Sequence, residues 1–411
     1  MPSFLSISRF LLLTTIFLTP LLPYAWNFGF EQIKVIFFIL FLTFASIFFQ
    51  LHYVFKKLPF TWTIIKLFSF AFLISLSVSA LFGLDPLNSF LGKEPYFQGV
   101  IIYLYLFLLL NLVSDLKIKL EEFSFVLTLS VLVISLIALK DYLLLTVFNQ
   151  PVLTYSGRVI STFGQSNFYA GFIALSLPFI AYLFSKKYYT FASISLVLGV
   201  LAILVSFSRA AEFILIVLGL LFLMNYFKKQ AKAIFLAAII LLILGLVLSY
   251  IYKAGVVWKE IGEPQELLWQ QQNSPEKRIF IWEIASKVFL QNPILGVGLE
   301  NFDLAYANYF KAINYNTLQD PKDLTLKDLV VNRAHSYPLD LAVWGGLVTL
   351  IIWSLLIFYS LKYSNNKYIL TFFTIYLIWS LVQIESITHL ILFWSVLGFI
   401  KNNKKENKKL N

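Results

Sequence analysis

The sequence predicts an all-α, polytopic membrane protein, and three observations carry that reading. Apolar runs of about 20 residues, enough to cross roughly 30 Å of hydrocarbon at about 1.5 Å per residue, recur along nearly the whole chain. Charged residues make up only 13% of the 411 positions and hydrophobic ones 59%, whereas a soluble domain usually carries about 25% charged residues. Lysine and arginine gather in alternate short connections, as expected when positively charged loops stay cytoplasmic.

The runs give about twelve spans: 8–27, 32–54, 60–82, 98–114, 123–147, 166–185, 188–207, 210–227, 231–252, 337–361, 368–384 and 386–401. The first follows Arg9 and has the length of a secretory leader. It lacks a small-x-small cleavage site and further spans follow at once, so it reads as a retained first helix. The chain thus divides into nine spans over 1–252, a long extracytoplasmic loop over 253–336, three spans over 337–401 and a basic cytoplasmic tail over 402–411.

With both ends inside, the cytoplasmic turns and tail hold 18 of the 32 basic residues and only four acids, Asp115, Glu121, Glu122 and Glu406. The net charge of +11 is therefore a topology signal, suited to an anionic inner leaflet and giving no reason to expect nucleic acid. There is no cysteine, and the three histidines, His52, His335 and His389, lack the i, i+4 spacing of a helical zinc pair. No metal and no cofactor are expected. Gly296-Val297-Gly298 lacks the third glycine of a dinucleotide site and reads as a turn after Pro293.

Basic residues on the external face run against the topology rule. Arg158 lies in the turn YSGRVISTFGQSNFYAGF before the sixth span, and Arg209 in the very short turn VSFSRAAEF between the seventh and eighth. Snorkelling to headgroups explains an ordinary boundary arginine. It explains Arg209 poorly, since that turn is too short to sit anywhere but among helices, and a charge at this depth is a functional hypothesis by default. In the long loop, RIFIWEIASKVFLQNP places Ile281, Trp282, Ala285, Val288 and Phe289 at helical spacing, with Arg278 at the helix start and Pro293 past its end. Without chemistry this segment would be an amphipathic helix on the membrane surface. A cation at a helix N-terminus opposes the dipole, however, and calls for an anionic partner.

Arg333-Ala334-His335 stands where the loop re-enters the membrane. A lone histidine at a helix start is most often a structural hydrogen-bonder. Yet imidazole is the side chain whose ordinary pKa suits proton transfer near neutrality, and arginines grip phosphate oxygens in a planar fork. One base with several arginines at one face describes a site for an anionic, phosphorylated, lipid-bound substrate.

RVISTFGQSNFYAGFIALSLPF, SFSRAAEFIL, RIFIWEIASKVFLQNPILGVGLENF, RAHSYPLDLAVWGGL and LIWSLVQIESITHLILFWSVLGF, in this order and over about residues 85–400, resemble the O-antigen ligase and polymerase superfamily. The resemblance implies a GT-C-like, inverting, metal-independent glycosyltransferase of the bacterial inner membrane, working on the extracytoplasmic face with a glycan on undecaprenyl diphosphate as donor. It implies diphosphate binding by Arg209 and Arg278, assisted by Arg158 and Arg333, and a general base in His335. The acceptor would be a hydroxyl of lipid A core for a ligase, of another glycan repeat for a polymerase, or of a protein. Two departures stand out. Tyr96 occupies the place of an arginine two residues before Gln98-Gly99, which leaves Lys93 as a possible substitute, and Ser336 follows the histidine where the family has asparagine. A polysaccharide or lipid flippase would also suit twelve spans, but no internal repeat is visible and the external charges cluster beside one loop.

The topology makes a direct prediction. Single cysteines introduced at Asn273 and Asn403 of this cysteine-free chain should react with an impermeant thiol reagent from opposite sides of a sealed vesicle. Same-side labelling would refute the span count.

Overall fold

The structure, a computed structural model, describes residues 4–23, 29–56, 62–226, 275–317 and 331–400. In chain order the helices are α1 (Phe4–Leu18), α2 (Phe30–Lys56), α3 (Ile64–Leu81), α4 (Pro86–Leu91), α5 (Val100–Asp115) and α6 (Leu120–Thr146). After a hairpin of β1 (Thr154–Tyr155) and β2 (Arg158–Val159) come α7 (Ser166–Ser185), α8 (Tyr189–Val205), α9 (Arg209–Tyr226), α10 (Pro275–Gln291), α11 (Phe302–Thr317), α12 (Tyr337–Tyr363), α13 (Lys367–Val382) and α14 (Ile387–Leu397).

Eleven of the expected spans coincide with α1–α3, α5–α9 and α12–α14. The ninth, at 231–252, lies outside the described residues, as does the basic tail. By length and composition six of these helices, α1 with its following turn, α2, α3, α6, α7 and α12, can cross a membrane. The helices α5, α8, α13 and α14 are shorter apolar segments of the same bundle. α1 stops earlier than its apolar run suggests, because Pro20 cannot continue the helix and the chain closes in a 3-10 turn over Thr19–Leu21.

α7 is the central helix, with every side chain from Phe168 to Ile180 buried. α6, α8 and α13 pack around it, while α3 lies on α12 and α14 on α5. At one end of the bundle, polar contacts join residues whose loops share one predicted face: Arg9 to Glu122, Lys66 to Asp115 at 2.6 Å and Tyr188 to Glu121 at 2.8 Å. The alternation of basic loops and the packing therefore agree on which helix ends lie together.

α12, expected as one uninterrupted span, is broken at Gly346, whose φ of +66° lies in the left-handed region. The turn after Pro293 fills the break. Val297 and Gly298 donate their N–H groups to the carbonyls of Val343 and Trp344 at 2.9 and 3.0 Å, Leu347 donates to the Pro293 carbonyl at 2.7 Å, and the Ser79 hydroxyl donates to Trp344. The Val343 and Trp344 carbonyls and the Leu347 N–H at the break thus find partners, as an apolar interior requires. Gly296-Val297-Gly298 is this docking turn. α4 and α11, and the short β-hairpin, are additions that the sequence pattern did not announce.

Replacing Gly296 by alanine should be costly. Its φ is +68°, and a Cβ there would run into the Trp344 carbonyl. The left-handed conformation alone costs a non-glycine residue about 1–2 kcal/mol, and the backbone clash adds to it. A clear loss of thermal stability in detergent is the expected result, measurable by tryptophan fluorescence. An unchanged unfolding temperature would show that the turn does not hold α12.

Candidate functional site

Three of the arginines singled out in the sequence meet at one place. β2 presents Arg158, α9 begins at Arg209, and Arg278 lies in the first turn of α10. Burial, and then the like charges of Arg158 and Arg209, push the Arg278 guanidinium down from its ordinary value.

Local contacts hold them there. Arg158 Nη1 donates to Asn167 Oδ1 at 3.4 Å and to the Phe207 carbonyl at 3.3 Å, which ties the hairpin to the turn before α9. Arg278 Nη1 donates to the carbonyl of Val382 at 3.2 Å. That carbonyl belongs to the last residue of α13, where the negative end of the helix dipole welcomes a cation. Among the described residues none of the three is ion-paired with a carboxylate. The N-terminus of α9 adds the positive end of its dipole, which favours an anion.

His335 sits on a short arch between Val331 and the start of α12, half-buried, with a φ of +57°. The residue before it is fixed on both sides. Ala334 N–H donates to Asp340 Oδ1 at 2.7 Å, and the Ala334 carbonyl accepts from Trp282 Nε1 at 2.8 Å. The residue after it is fixed as well, since the Ser336 carbonyl accepts from Asp340 N–H at 2.8 Å. Trp282 lies on α10 four residues after Arg278, hence on the same helix face. One helix therefore carries an arginine of the cluster and the indole that grips the arch.

Arg333 is placed apart from the other three. Its guanidinium is buried, donates to Glu300 Oε1 at 2.5 Å and to Gln98 Oε1 at 3.3 Å, and stands over the rings of Tyr96 and Trp344 at 4.6 and 4.1 Å. Burial alone would depress its pKa; Glu300, with Asp340 and Tyr96 beyond it, more than offsets that and keeps the guanidinium charged. Gln98 completes the network, its backbone N–H donating to Glu300 Oε1 at 3.2 Å and its side-chain amide to the Glu385 carbonyl at 2.8 Å. Lys93 is likewise engaged, paired with Asp303 at 2.6 Å.

Sequence reasoning passed over Glu300, Asp340 and Trp282 as polar anchors. An acid in the first turn of an apolar span, as Asp340 is, was the one available signal. Glu300 and Trp282 could not be recognised, because their partners are remote in the chain.

Removing Arg333 should unfold the region rather than merely slow it. Arg333→Met leaves Glu300 as an uncompensated buried charge, a change that typically costs about 3–5 kcal/mol. The double variant Arg333→Met, Glu300→Gln keeps an acceptor for Gln98 N–H and should recover most of the lost stability in a detergent melt. Equal destabilisation by the single and double variants would show that the pair is not the source of the effect.

Comparison with known proteins adds one finding. Residues 194–354 match the Wzy_C family, described as O-antigen ligase, and no curated protein matches the chain. The matched stretch includes Arg209, Arg278, Arg333 and His335, so it covers the α9 start, the loop helix and the arch described above. The chain is thus a multi-pass membrane protein by its apolar helices, and its residues 194–354 are similar to the O-antigen ligase family.

Proposed function

We propose that the protein is an O-antigen ligase-like glycosyltransferase of the bacterial inner membrane, moving a glycan from undecaprenyl diphosphate to an acceptor hydroxyl at the extracytoplasmic face. The observation that carries this reading is the set of Arg158, Arg209 and Arg278, none ion-paired with a carboxylate among the described residues, with Arg278 on the helix that also grips the arch of His335. An open cluster of three cations asks for a multiply charged anion, and a diphosphate supplies it.

The chemistry follows from these positions. His335 takes the proton of the acceptor hydroxyl as its oxygen attacks the anomeric carbon. The bond from that carbon to the diphosphate oxygen breaks on the opposite side, so the configuration inverts and the pair of electrons leaves with the diphosphate. Charge on the leaving group grows during the step. Arginines already in place stabilise that growing charge without reorganising at the moment of reaction. The polyprenyl chain lies in the hydrocarbon between helices, and Arg333 anchors the loop instead of contacting phosphate.

The single test is transfer by the purified protein from undecaprenyl-diphosphate glycan to lipid A core, to a second lipid-linked repeat or to a protein hydroxyl. Addition of one glycan to lipid A core marks a ligase, and a ladder of product lengths marks a polymerase. His335→Ala should lower turnover by about 10²- to 10⁴-fold, the usual contribution of a positioned base. Arg278→Ala should cost about 10²- to 10³-fold by analogy with a lost oxyanion donor. A folded His335→Ala protein that turns over like the wild type would remove the base assignment. Transport of the intact lipid-linked glycan without transfer would remove the enzyme reading.

A further inference from the structure

We propose that Trp282 and Asp340 are positioning residues, which present His335 to the arginine cluster by gripping the two sides of the Ala334 residue. The inference rests on the assignment of His335 as the base and names what holds that base in place.

The backbone at His335 does not hold its shape unaided. A φ of +57° is uncommon for a residue other than glycine and costs about 1–2 kcal/mol against the ordinary regions. Such a conformation persists only where its surroundings determine it. Here four contacts do so. Asp340 Oδ1 takes the Ala334 N–H and Asp340 N–H gives to the Ser336 carbonyl, so one residue of α12 brackets His335 from both flanks. Trp282 Nε1 takes the Ala334 carbonyl from the α10 side. The Arg333–Glu300 pair closes the arch behind it.

The two grips differ in what they link. Asp340 fixes the arch to the helix that follows it in the chain, and any residue accepting at that point would serve. Trp282 fixes the arch to α10, the element that holds Arg278 among Arg158 and Arg209. Its indole therefore sets the separation between the acceptor-side base and the donor-side charge. Asp340 is buried and contributes no exposed charge to the site, and Trp282 offers only an N–H already used on the Ala334 carbonyl. Neither is placed to act on substrate itself. Geometry is where their effect lies, and a displacement of about 1 Å at a reacting group can lower a rate about 10²-fold.

The test measures kcat and donor KM separately, with undecaprenyl-diphosphate glycan as donor and the acceptor that the wild type uses. Trp282→Phe keeps the ring and removes the hydrogen-bond donor. It should lower kcat about ten- to a hundredfold and leave donor KM within about threefold, since the arginines are untouched. Asp340→Leu should lower kcat comparably, and Asp340→Asn, which keeps an acceptor for Ala334 N–H, should restore it to within about threefold of wild type. In a His335→Ala background, Trp282→Phe should have no further effect, because a residue that acts only through the base is silent once the base is gone.

Wild-type kcat in Trp282→Phe would overturn the inference even if Asp340→Leu failed to fold. Equal impairment by Asp340→Asn and Asp340→Leu would do so as well, pointing to the charge of Asp340 in place of its acceptor. A full multiplicative loss in the double variant with His335→Ala would show that Trp282 acts elsewhere. If His335→Ala alone retained wild-type turnover, the base assignment would fall first and the positioning role with it.

Discussion

A guanidinium taken out of water must be repaid by hydrogen bonds and an opposite charge, and the Arg333–Glu300 contact is where this protein meets that requirement. The partners are separated by 33 positions, and the acceptor Gln98 comes from 235 positions away. Three stretches of chain that would otherwise be independent loops are thereby forced into one arrangement. Tyr96 and Trp344 close over the cation with their ring faces, which adds attraction in a low-dielectric setting. The anchor leaves little freedom for the arch that begins at the same residue. Everything that depends on the position of His335 depends on it first.

A second requirement acts beside it. The break of α12 at Gly346 would expose carbonyls to an apolar interior, so donors of other segments must satisfy them. The turn after α10 supplies them, so α10 is docked by its own C-terminal end. Its other end is held where Arg278 meets the Val382 carbonyl. A helix that the sequence would allow to float on the membrane surface is consequently fixed at both ends and at Trp282. The amphipathic pattern is real, but its apolar face, Ile281, Ile284, Ala285 and Val288, is buried against protein.

How much of this could be read beforehand varies with the range of the interaction. Spans were legible because hydrocarbon thickness demands about 20 apolar residues regardless of fold. For Arg158, Arg209 and Arg278 the sequence offered an expected shared face, from topology alone. The break in α12 was not legible, since residues 341–344 and 347–352 are apolar but for Thr349 on both sides of the paired glycines and hydropathy records no interruption. Nor was the Arg333–Glu300 pair. Arg333 stands two residues from His335, and proximity in sequence suggested a shared task, whereas its pairing with Glu300 is visible only in the fold. α4, with six residues, is too short for a helical period to declare itself.

The contrast between the arginines carries the functional argument further than any motif does. Burying a cation with a carboxylate at 2.5 Å makes a structural element, because its charge is already spent and substrate would have to displace Glu300 to use it. Placing cations together with only carbonyl and amide acceptors at 3.2 to 3.4 Å leaves their charge available. Like charges held near one another raise each other's free energy unless an anion offsets them. Selection for stability alone would have put an acid there, as it did at Arg333. The absence of such an acid among the described residues is the physical reason to look for the anion in the substrate.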